Sequence, residues 1–299
     1  MSETEEQIAN DLAAHIRERV GAVHAIPEGH SGFTYWVELD GRRGVLRLPP
    51  PGARIAGPAD IPRQARIMAA LHAQGLPVPA IVATSADPVV DGRPFVLMEA
   101  INGDRVEQAI DAGSNPLELA SSAVDVLRQF QAVPCESTGI GGEDPMPLEG
   151  EVSRWAWLME RAPSELTGQA PRLAQLLVER QPQPSPPVLV HGDYHFGNML
   201  FDGGRVAAVV DWEIAELGQP LLDLCCISLS HVSADSVREM YRADPDDYRW
   251  YLALTYYKYA AIFGYNLMLH RRGKRPDPSY EQRTDTIVGF IDQAISVLG

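Results

Sequence analysis

Residues 190–202, VHGDYHFGNMLFD, constrain the fold of this chain more than any other stretch. They follow an apolar run, residues 188–190, that is typical of a short buried strand. Gly192 immediately precedes Asp193 and Gly197 immediately precedes Asn198, so a loop is predicted there instead of a helix. The chain is therefore expected to hold a carboxylate and an amide close together on a loop that leaves a buried strand.

A second apolar run, residues 206–210, ends on Asp211. Residues 202–204, Asp-Gly-Gly, predict a tight turn, so the two runs are expected to form a hairpin. Such a hairpin would bring Asp193, Asn198 and Asp211 to one end of two paired strands. One carboxylate could then accept the proton of a hydroxyl group. The amide oxygen and the other carboxylate are hard oxygen ligands of the kind that Mg²⁺ prefers.

This pattern resembles a known catalytic loop. The sequence H-G-D-x-x-x-x-N at 191–198, followed by Asp-Trp-Glu at 211–213, resembles the H-R-D-x-x-x-x-N and Asp-Phe-Gly motifs of protein kinases. The match is to the shortened form found in the aminoglycoside phosphotransferase and choline kinase-like superfamily. Residues 218–224, GQPLLDL, continue the likeness, which is closest to the branch that includes kinase domains fused to acyl-CoA dehydrogenases.

The resemblance implies an α+β, protein kinase-like two-lobed fold. The expected N-lobe, residues 1–100, is rich in sheet and binds the nucleotide. The expected C-lobe, residues 101–299, is helical and carries the catalytic loop and the substrate site. Periodicity predicts strands over 33–39, 43–48, 80–84 and 94–100, with Asp40-Gly41 and Asp91-Gly92 in the turns of two hairpins. It also predicts helices over 3–20, 60–75, 115–131, 149–162, 171–180, 221–230, 246–271 and 280–298. The first three are expected to begin at a capping box of Ser2 with Glu5, at Asp60 and at Asn115.

The resemblance also implies an activity: transfer of the γ-phosphoryl group of ATP, or GTP, to a hydroxyl group of a small molecule. Asp193 would orient and deprotonate that hydroxyl group, and Asn198 and Asp211 would hold Mg²⁺. His195 stands where protein kinases have a catalytic-loop lysine, so it is either a donor to the γ-phosphate or an exposed histidine without a role. Because no segment like Ala-Pro-Glu follows Asp211, small molecules are favoured over proteins as acceptors.

Nucleotide contacts are implied for five residues of the N-lobe and the hinge that follows it, namely Ser31, Gly32, Arg47, Glu99 and Ile101. The loop at 27–32 would cover the phosphates through its backbone N–H groups, although two glycines in a loop are also compatible with a simple turn. Arg47 takes the place of the kinase strand lysine, and the alternative for it is a surface cation on an edge strand. Glu99 and Ile101 fall at the expected hinge, where backbone groups would bind the nucleotide base.

The helix at 60–75 departs from the family pattern. In the family, this helix carries a glutamate that pairs with the strand cation, and the matching residue here is Gln64. Because a neutral amide cannot form an ion pair, Arg47 is expected to rely on a hydrogen bond to Gln64 or on another acid, such as Glu28 or Asp60.

Composition limits the partners. The net charge of −15 argues against nucleic acid, because the chain has no basic surplus to displace counterions, but it is compatible with a cationic acceptor. No apolar run approaches the ~18 residues of a membrane span. The acidic N-terminus does not predict a signal peptide, and the three cysteines are typical of a cytoplasmic protein. The oligomeric state is left open.

Other functions stay open at this point. The acceptor could be a hydroxyacyl-CoA or another metabolite, and Gln64 is compatible with a nucleotide-binding, pseudokinase-like module without turnover. A zinc protein using His191 and His195 is a further alternative, although no third ligand stands at metal-site spacing in the same element.

Overall fold

The computed structural model describes residues 2–26 and 33–299. In this part of the chain it contains nine strands and ten α-helices. Most of the strand residues lie in the N-terminal part and most of the helical residues in the C-terminal part, which confirms the predicted α+β class. Among the same residues, no helix combines the length and the hydropathy that crossing a bilayer requires.

Two compact units interleave along the sequence. The first consists of Met1–Glu143 and His191–Glu216, and the second of Asp144–Val190 and Leu217–Gly299. The predicted catalytic loop therefore belongs, apart from Val190, to the unit that contains the large sheet. The lobe boundary near residue 100 stays a prediction.

The first unit is built on five strands, β1 (Val20–Ala25), β2 (Phe33–Leu39), β3 (Arg42–Leu48), β4 (Ile81–Val90) and β5 (Arg93–Glu99). They form one antiparallel sheet in the order β1-β2-β3-β5-β4. The predicted hairpins are confirmed, with Asp40-Gly41 and Asp91-Gly92 in their turns at positive φ. In this register Arg47 lies opposite Val96 of β5, so it stands on an inner strand and not at an edge.

Helix α1 (Glu3–Ala13) is shorter than predicted. Its capping box is confirmed, because the Glu5 N–H donates to Ser2 Oγ at 3.3 Å and the Ser2 N–H donates to Glu5 Oε2 at 2.7 Å. A helix as far as residue 20 is wrong, since Val20 begins β1 and pairs with Leu39. Strand pairing outweighs the helical spacing of the apolar residues there. Ile8 and Leu12 are fully buried against the sheet.

Three further helices of this unit are α2 (Ile61–His72), α3 (Val106–Asp111) and α4 (Pro116–Gln131). Helix α2 begins at Asp60, whose side chain accepts a hydrogen bond from the Arg63 N–H at 3.0 Å. Asn115 caps α4 in the same way, through the Leu117 N–H at 2.9 Å. Both caps are those predicted.

Strands β7 (Met199–Asp202) and β8 (Arg205–Val209) form the hairpin of the predicted site. The apolar run before the loop is not part of it, because β6 (Val188–Val190) pairs with β9 (Glu216–Gly218) instead. Backbone hydrogen bonds of 2.8 and 2.9 Å between Asp104 and Phe201 join the hairpin to the segment after β5. A Cβ on Gly103 would lie 3.0 Å from the Leu200 Cβ, so glycine permits this close approach.

The second unit is mostly helical and contains α5 (Leu148–Met159), α6 (Ala170–Glu179), α7 (Leu221–Ile227), α8 (Ala234–Tyr241), α9 (Pro245–Arg271) and α10 (Thr284–Leu298). All but α8 were predicted, with bounds shifted by a few residues. Tyr251, Tyr257 and Tyr259 of α9 are buried, as the helical spacing of its aromatic residues indicates.

Candidate active site

The loop after β6 turns at Gly192. This residue has a φ of +84°, in the left-handed region. A Cβ on it would lie 2.7 Å from the carbonyl oxygen of Ile214. Both the positive φ and the close backbone approach require glycine, so Gly192 fixes the direction in which the chain enters Asp193.

His191 supports the loop from below. Its Nε2–H donates to the Val210 carbonyl at 2.9 Å, and its Nδ1 accepts from the Asp193 N–H at 3.2 Å. Burial lowers its pKa to about 4, although the nearby Asp193 carboxylate opposes that shift. The ring packs against the buried Trp212 at 4.6 Å between centroids, with the two ring planes tilted by 59°. Because both nitrogens serve the backbone, His191 cannot ligate zinc in this arrangement.

Asp193 is held by two side chains of its own loop. Asn198 Nδ2 donates to Asp193 Oδ2 at 3.0 Å and to the Asp193 carbonyl at 2.9 Å. His195 Nε2 lies 3.3 Å from the same Oδ2, while its Nδ1 accepts from the Gly197 N–H at 3.0 Å. These contacts fix the rotation of the carboxyl group. The loop histidine thus has a partner that neither sequence-based interpretation named.

Asp211 follows β8 and adopts a φ of +69°, which few residues other than glycine, asparagine and aspartate tolerate. The residue before it, Val210, donates its N–H to the Asn198 carbonyl at 2.9 Å. Trp212 is buried and packs edge-on against Phe130 at 5.0 Å. The hairpin therefore brings Asp211 to the same end as Asn198, as predicted.

Arg47 reaches this end of the hairpin from β3. Its NH1 donates to Asp211 Oδ1 at 2.8 Å, and its NH2 donates to Glu213 Oε2 at 3.1 Å. The guanidinium is largely buried, and burial alone would lower its pKa, but the two carboxylates raise the pKa above its ordinary value. Arg47 is a partner of the Asp-Trp-Glu motif and not a surface cation.

The sequence profile described as the phosphotransferase enzyme family matches residues 22–254. The chain belongs to this family.

Curated relatives of this chain are longer proteins. Acyl-CoA dehydrogenase family member 10 of Mus musculus is 27% identical over 268 residues, which are 78% of this chain and 25% of that protein. Acyl-CoA dehydrogenase family member 11 of Homo sapiens is 29% identical over 224 residues, or 71% of this chain and 28% of that protein. The chain thus spans about a quarter of the length of these relatives.

Solved structures share its fold. A candidate aminoglycoside phosphotransferase of Ralstonia eutropha is 21% identical, with a TM-score of 0.77 over 98% of this chain and 97% of its own. The complex of APH(2″)-IIIa with GDP and kanamycin is 15% identical, with a TM-score of 0.71 over 96% and 97%. A complex of APH(4)-Ia with ADP and hygromycin B is 16% identical, with a TM-score of 0.67 over 93% and 94%. The kinase-like fold is confirmed.

Gln64 does not contact Arg47 as predicted. Its amide nitrogen donates to the Pro58 carbonyl at 2.9 Å, and the side chain is buried. A hydrogen bond from Arg47 to Gln64 is therefore wrong. Another acid was expected as the alternative, but Asp60 caps α2, and the acids found are Asp211 and Glu213. The amide nitrogen of Gln64 is already used by the hydrogen bond to Pro58 in the turn before α2.

The remaining predicted nucleotide contacts fall in the sequence at 27–32 and at the end of β5. Ser31 and Gly32, together with Glu28, lie outside the described residues. Glu99 ends β5 with an exposed side chain, and its N–H donates to the Ala80 carbonyl at 2.9 Å. Ile101 follows in an irregular segment, and its N–H donates to no group in the chain at 2–26 or 33–299.

The residues suit a magnesium ion better than a softer metal. Asn198 spends its amide nitrogen on Asp193, and its amide oxygen accepts no hydrogen bond from the described chain. Asp211 uses Oδ1 for Arg47, which leaves Oδ2. Carboxylate and amide oxygens match the preference of Mg²⁺. Within the described residues, no group of three His, Cys, Asp or Glu is placed to hold a metal ion.

Glu213 is the site residue that sequence reasoning passed over. It was recognised as the last residue of the Asp-Trp-Glu motif but given no role. Kinases have glycine at this place in Asp-Phe-Gly, so the family motif gave no reason to expect a side chain there. A buried cation on β3 without an acid on α2 was the available signal, because such a cation requires a carboxylate nearby.

Proposed function

We propose that this phosphotransferase transfers the γ-phosphoryl group of ATP or GTP to a hydroxyl group of a small molecule. The observation that carries the proposal is the arrangement at the end of the β7–β8 hairpin. There, one loop carboxylate is held by its neighbours, and a second carboxylate is paired with a buried arginine. The two acids thus have different surroundings, which suits two different roles.

Asp193 is the residue assigned to the acceptor. Its carboxylate orients the hydroxyl group and accepts its proton as the phosphoryl group is transferred. Asn198 and His195 keep the carboxyl group in one rotation through the contacts at 3.0 and 3.3 Å, so little ordering is left for the reaction itself. Such positioning is the main contribution that a protein makes to phosphoryl transfer.

Asn198 and Asp211 are the residues that would hold Mg²⁺. When bound, the cation would neutralise charge on the phosphates. Arg47 would engage phosphate oxygens through its guanidinium fork. The base would be bound by backbone groups at Glu99 and Ile101, which is consistent with the Ile101 N–H having no acceptor in the described chain.

The acceptor is proposed to be a hydroxylated small molecule. Structures of the same fold hold kanamycin or hygromycin B beside GDP or ADP, which supports a small acceptor and a nucleotide donor. Because the curated relatives are named as acyl-CoA dehydrogenase family members, a hydroxyacyl-CoA or another metabolite is also a candidate acceptor. A cationic acceptor and a cytoplasmic location remain predictions from charge and cysteine content.

The test is direct measurement of phosphoryl transfer. The purified chain is incubated with Mg²⁺ and γ-labelled ATP or GTP, and with aminoglycosides, hydroxyacyl-CoA thioesters and simple polyols in parallel. Label is expected in one acceptor class, at a rate at least ~10²-fold above that of an Asp193→Asn variant. Nucleotide binding without transfer to any acceptor would instead support the pseudokinase-like alternative.

A further inference from the structure

We propose that Glu213 positions Arg47 toward the nucleotide phosphates, in the place of the glutamate that α2 lacks. The proposal rests on the proposed function, because it assigns a part in nucleotide binding to a residue outside the catalytic loop. Glu213 is a positioning residue in this scheme: it acts through the guanidinium and not on the reacting atoms.

Asp211 cannot be the lasting ion-pair partner of Arg47 by itself. Its Oδ1 accepts from Arg47 NH1 at 2.8 Å, but the same carboxylate is the proposed ligand of Mg²⁺. A cation bound there competes with the guanidinium for the charge of one carboxylate. Glu213 meets a different nitrogen, NH2, at 3.1 Å. The Glu213 contact can therefore persist when Asp211 turns to the metal.

The side chains of Arg47 and Glu213 are both largely buried. The side chain of Arg47 is 11% exposed and that of Glu213 is 18% exposed. A charged group this far from water requires a lasting partner, and removing one partner of such a pair is costly because the other stays buried and unpaired. Glu213 satisfies that requirement with or without a bound nucleotide.

The polar side chains in the first turn of α2 have partners other than Arg47. Gln64 donates to the Pro58 carbonyl, and Asp60 accepts from the Arg63 N–H. Arg63 itself forms a two-point ion pair with Glu143 at 2.8 and 2.6 Å. Helix α2 is thus fixed by contacts that do not involve β3, and the acid for Arg47 comes from the chain after β8.

The choice of arginine on β3 fits this scheme. A planar guanidinium presents separate N–H groups in a fixed fork, so it can hold two carboxylates from two nitrogens at once. The contacts of NH1 with Asp211 and of NH2 with Glu213 use the fork in this way. A lysine has a single nitrogen at its tip and could not keep one contact unchanged while releasing the other.

A double-mutant cycle tests the proposal. Glu213→Gln and Arg47→Gln are made singly and together, and the dissociation constant of a non-hydrolysable ATP analogue with Mg²⁺ is measured for each. We expect Glu213→Gln to raise the dissociation constant about tenfold in the parent chain. In the chain that also carries Arg47→Gln, it should raise the constant less than twofold. Glu213→Asp, which keeps the charge on a shorter side chain, should have an intermediate effect. An equal change in both backgrounds would overturn the proposal, since it would show that Glu213 acts without Arg47, as a direct ligand of the cation would.

Two controls keep the outcome clear. Asp202→Asn removes an exposed charge from the same hairpin and should leave nucleotide binding within twofold of the parent. If Arg47→Gln fails to fold, Arg47→Lys takes its place in the cycle and should also be non-additive with Glu213→Gln. A parent chain that binds no Mg²⁺–nucleotide would refute the proposed function itself, whereas binding with an additive cycle would refute only the role of Glu213.

Discussion

Replacing Asp193, the proposed general base, is expected to separate chemistry from binding. Asp193→Asn keeps the shape of the side chain but removes the charge that accepts a proton, so turnover should fall by about 10²–10⁴-fold. The dissociation constant of Mg²⁺–nucleotide should stay within twofold, because Asp193 is assigned to the acceptor. Steady-state kinetics and nucleotide titration check both parts, with Asp202→Asn as the control. Near-parental turnover would refute the catalytic assignment.

Asp211 allows a substitution that spares the backbone. Asparagine tolerates the φ of +69° found here, so Asp211→Asn should fold without added strain. It removes the negative charge proposed for Mg²⁺, and the gain in nucleotide affinity that Mg²⁺ provides should largely disappear. Calorimetric titrations with Mg²⁺ and with a chelator give that gain directly. If the gain were the same in parent and variant, the metal would have to bind elsewhere.

His191 gives the fold a pH dependence of known sign. Its pKa is about 4 in the folded chain, against an ordinary value of 6.5. Between these values the unfolded chain binds a proton that the folded chain does not, so stability is present above pH 6.5 and is lost as the pH falls toward 4. The loss should approach about 3 kcal/mol. Urea unfolding at several pH values measures it. His191→Gln should flatten that slope, and an equally steep slope in the variant would contradict the assignment.

At the scale of elements, Gly192 offers a matched comparison. Gly192 and Gly204 have nearly the same φ, +84° and +83°. A Cβ on Gly192 would meet the Ile214 carbonyl oxygen at 2.7 Å, whereas one on Gly204 would meet nothing within 4 Å. Gly204→Ala should cost only the left-handed strain, about 1–2 kcal/mol. Gly192→Ala should cost more and also reduce turnover, because the loop must shift. Unfolding and activity assays compare the two, and equal costs would show that the contact with Ile214 is not limiting.

Much of the element structure could be predicted because its signals are local. Ser2 with Glu5, Asp60, and Asn115 before Pro116 begin helices as expected, and the Asp-Gly turns define the hairpins. The structure brings Asp193, Asn198 and Asp211 together near one end of the β7–β8 hairpin, and their roles stay predictions. These features depend on residues close together in the sequence.

The features that could not be predicted depend on distant partners. Val20 was assigned to a helix, but β2 recruits it into the sheet. The run at 188–190 was assigned to the hairpin, but it pairs with 216–218. Arg47 and Glu213 are 166 residues apart, and no local pattern links them. In each case tertiary pairing decides among local structures that the sequence alone allows.

At the scale of the molecule, the first unit depends on a returning segment. Residues 191–216 supply the Val209 N–H that donates to the Pro77 carbonyl at 2.8 Å, and Trp212, which packs on Phe130. A fragment of residues 1–143 lacks these contacts and exposes the apolar surface that they cover. We therefore expect it to show no cooperative thermal unfolding by circular dichroism, in contrast to the whole chain. A cooperative transition near that of the whole chain would contradict this expectation.

The capture of Gln64 by Pro58 also bears on regulation. In protein kinases, moving the helix that carries the glutamate breaks its ion pair with the strand lysine and switches the enzyme off. Here Gln64 in the first turn of α2 pairs with Pro58, whereas Arg47 pairs with Asp211 and Glu213, so displacing that helix would leave both ion pairs in place. An effector that moved α2 would therefore leave the ion pairs of Arg47 intact. If the chain is the kinase proposed here, moving α2 would not switch it off in the way that it switches off protein kinases.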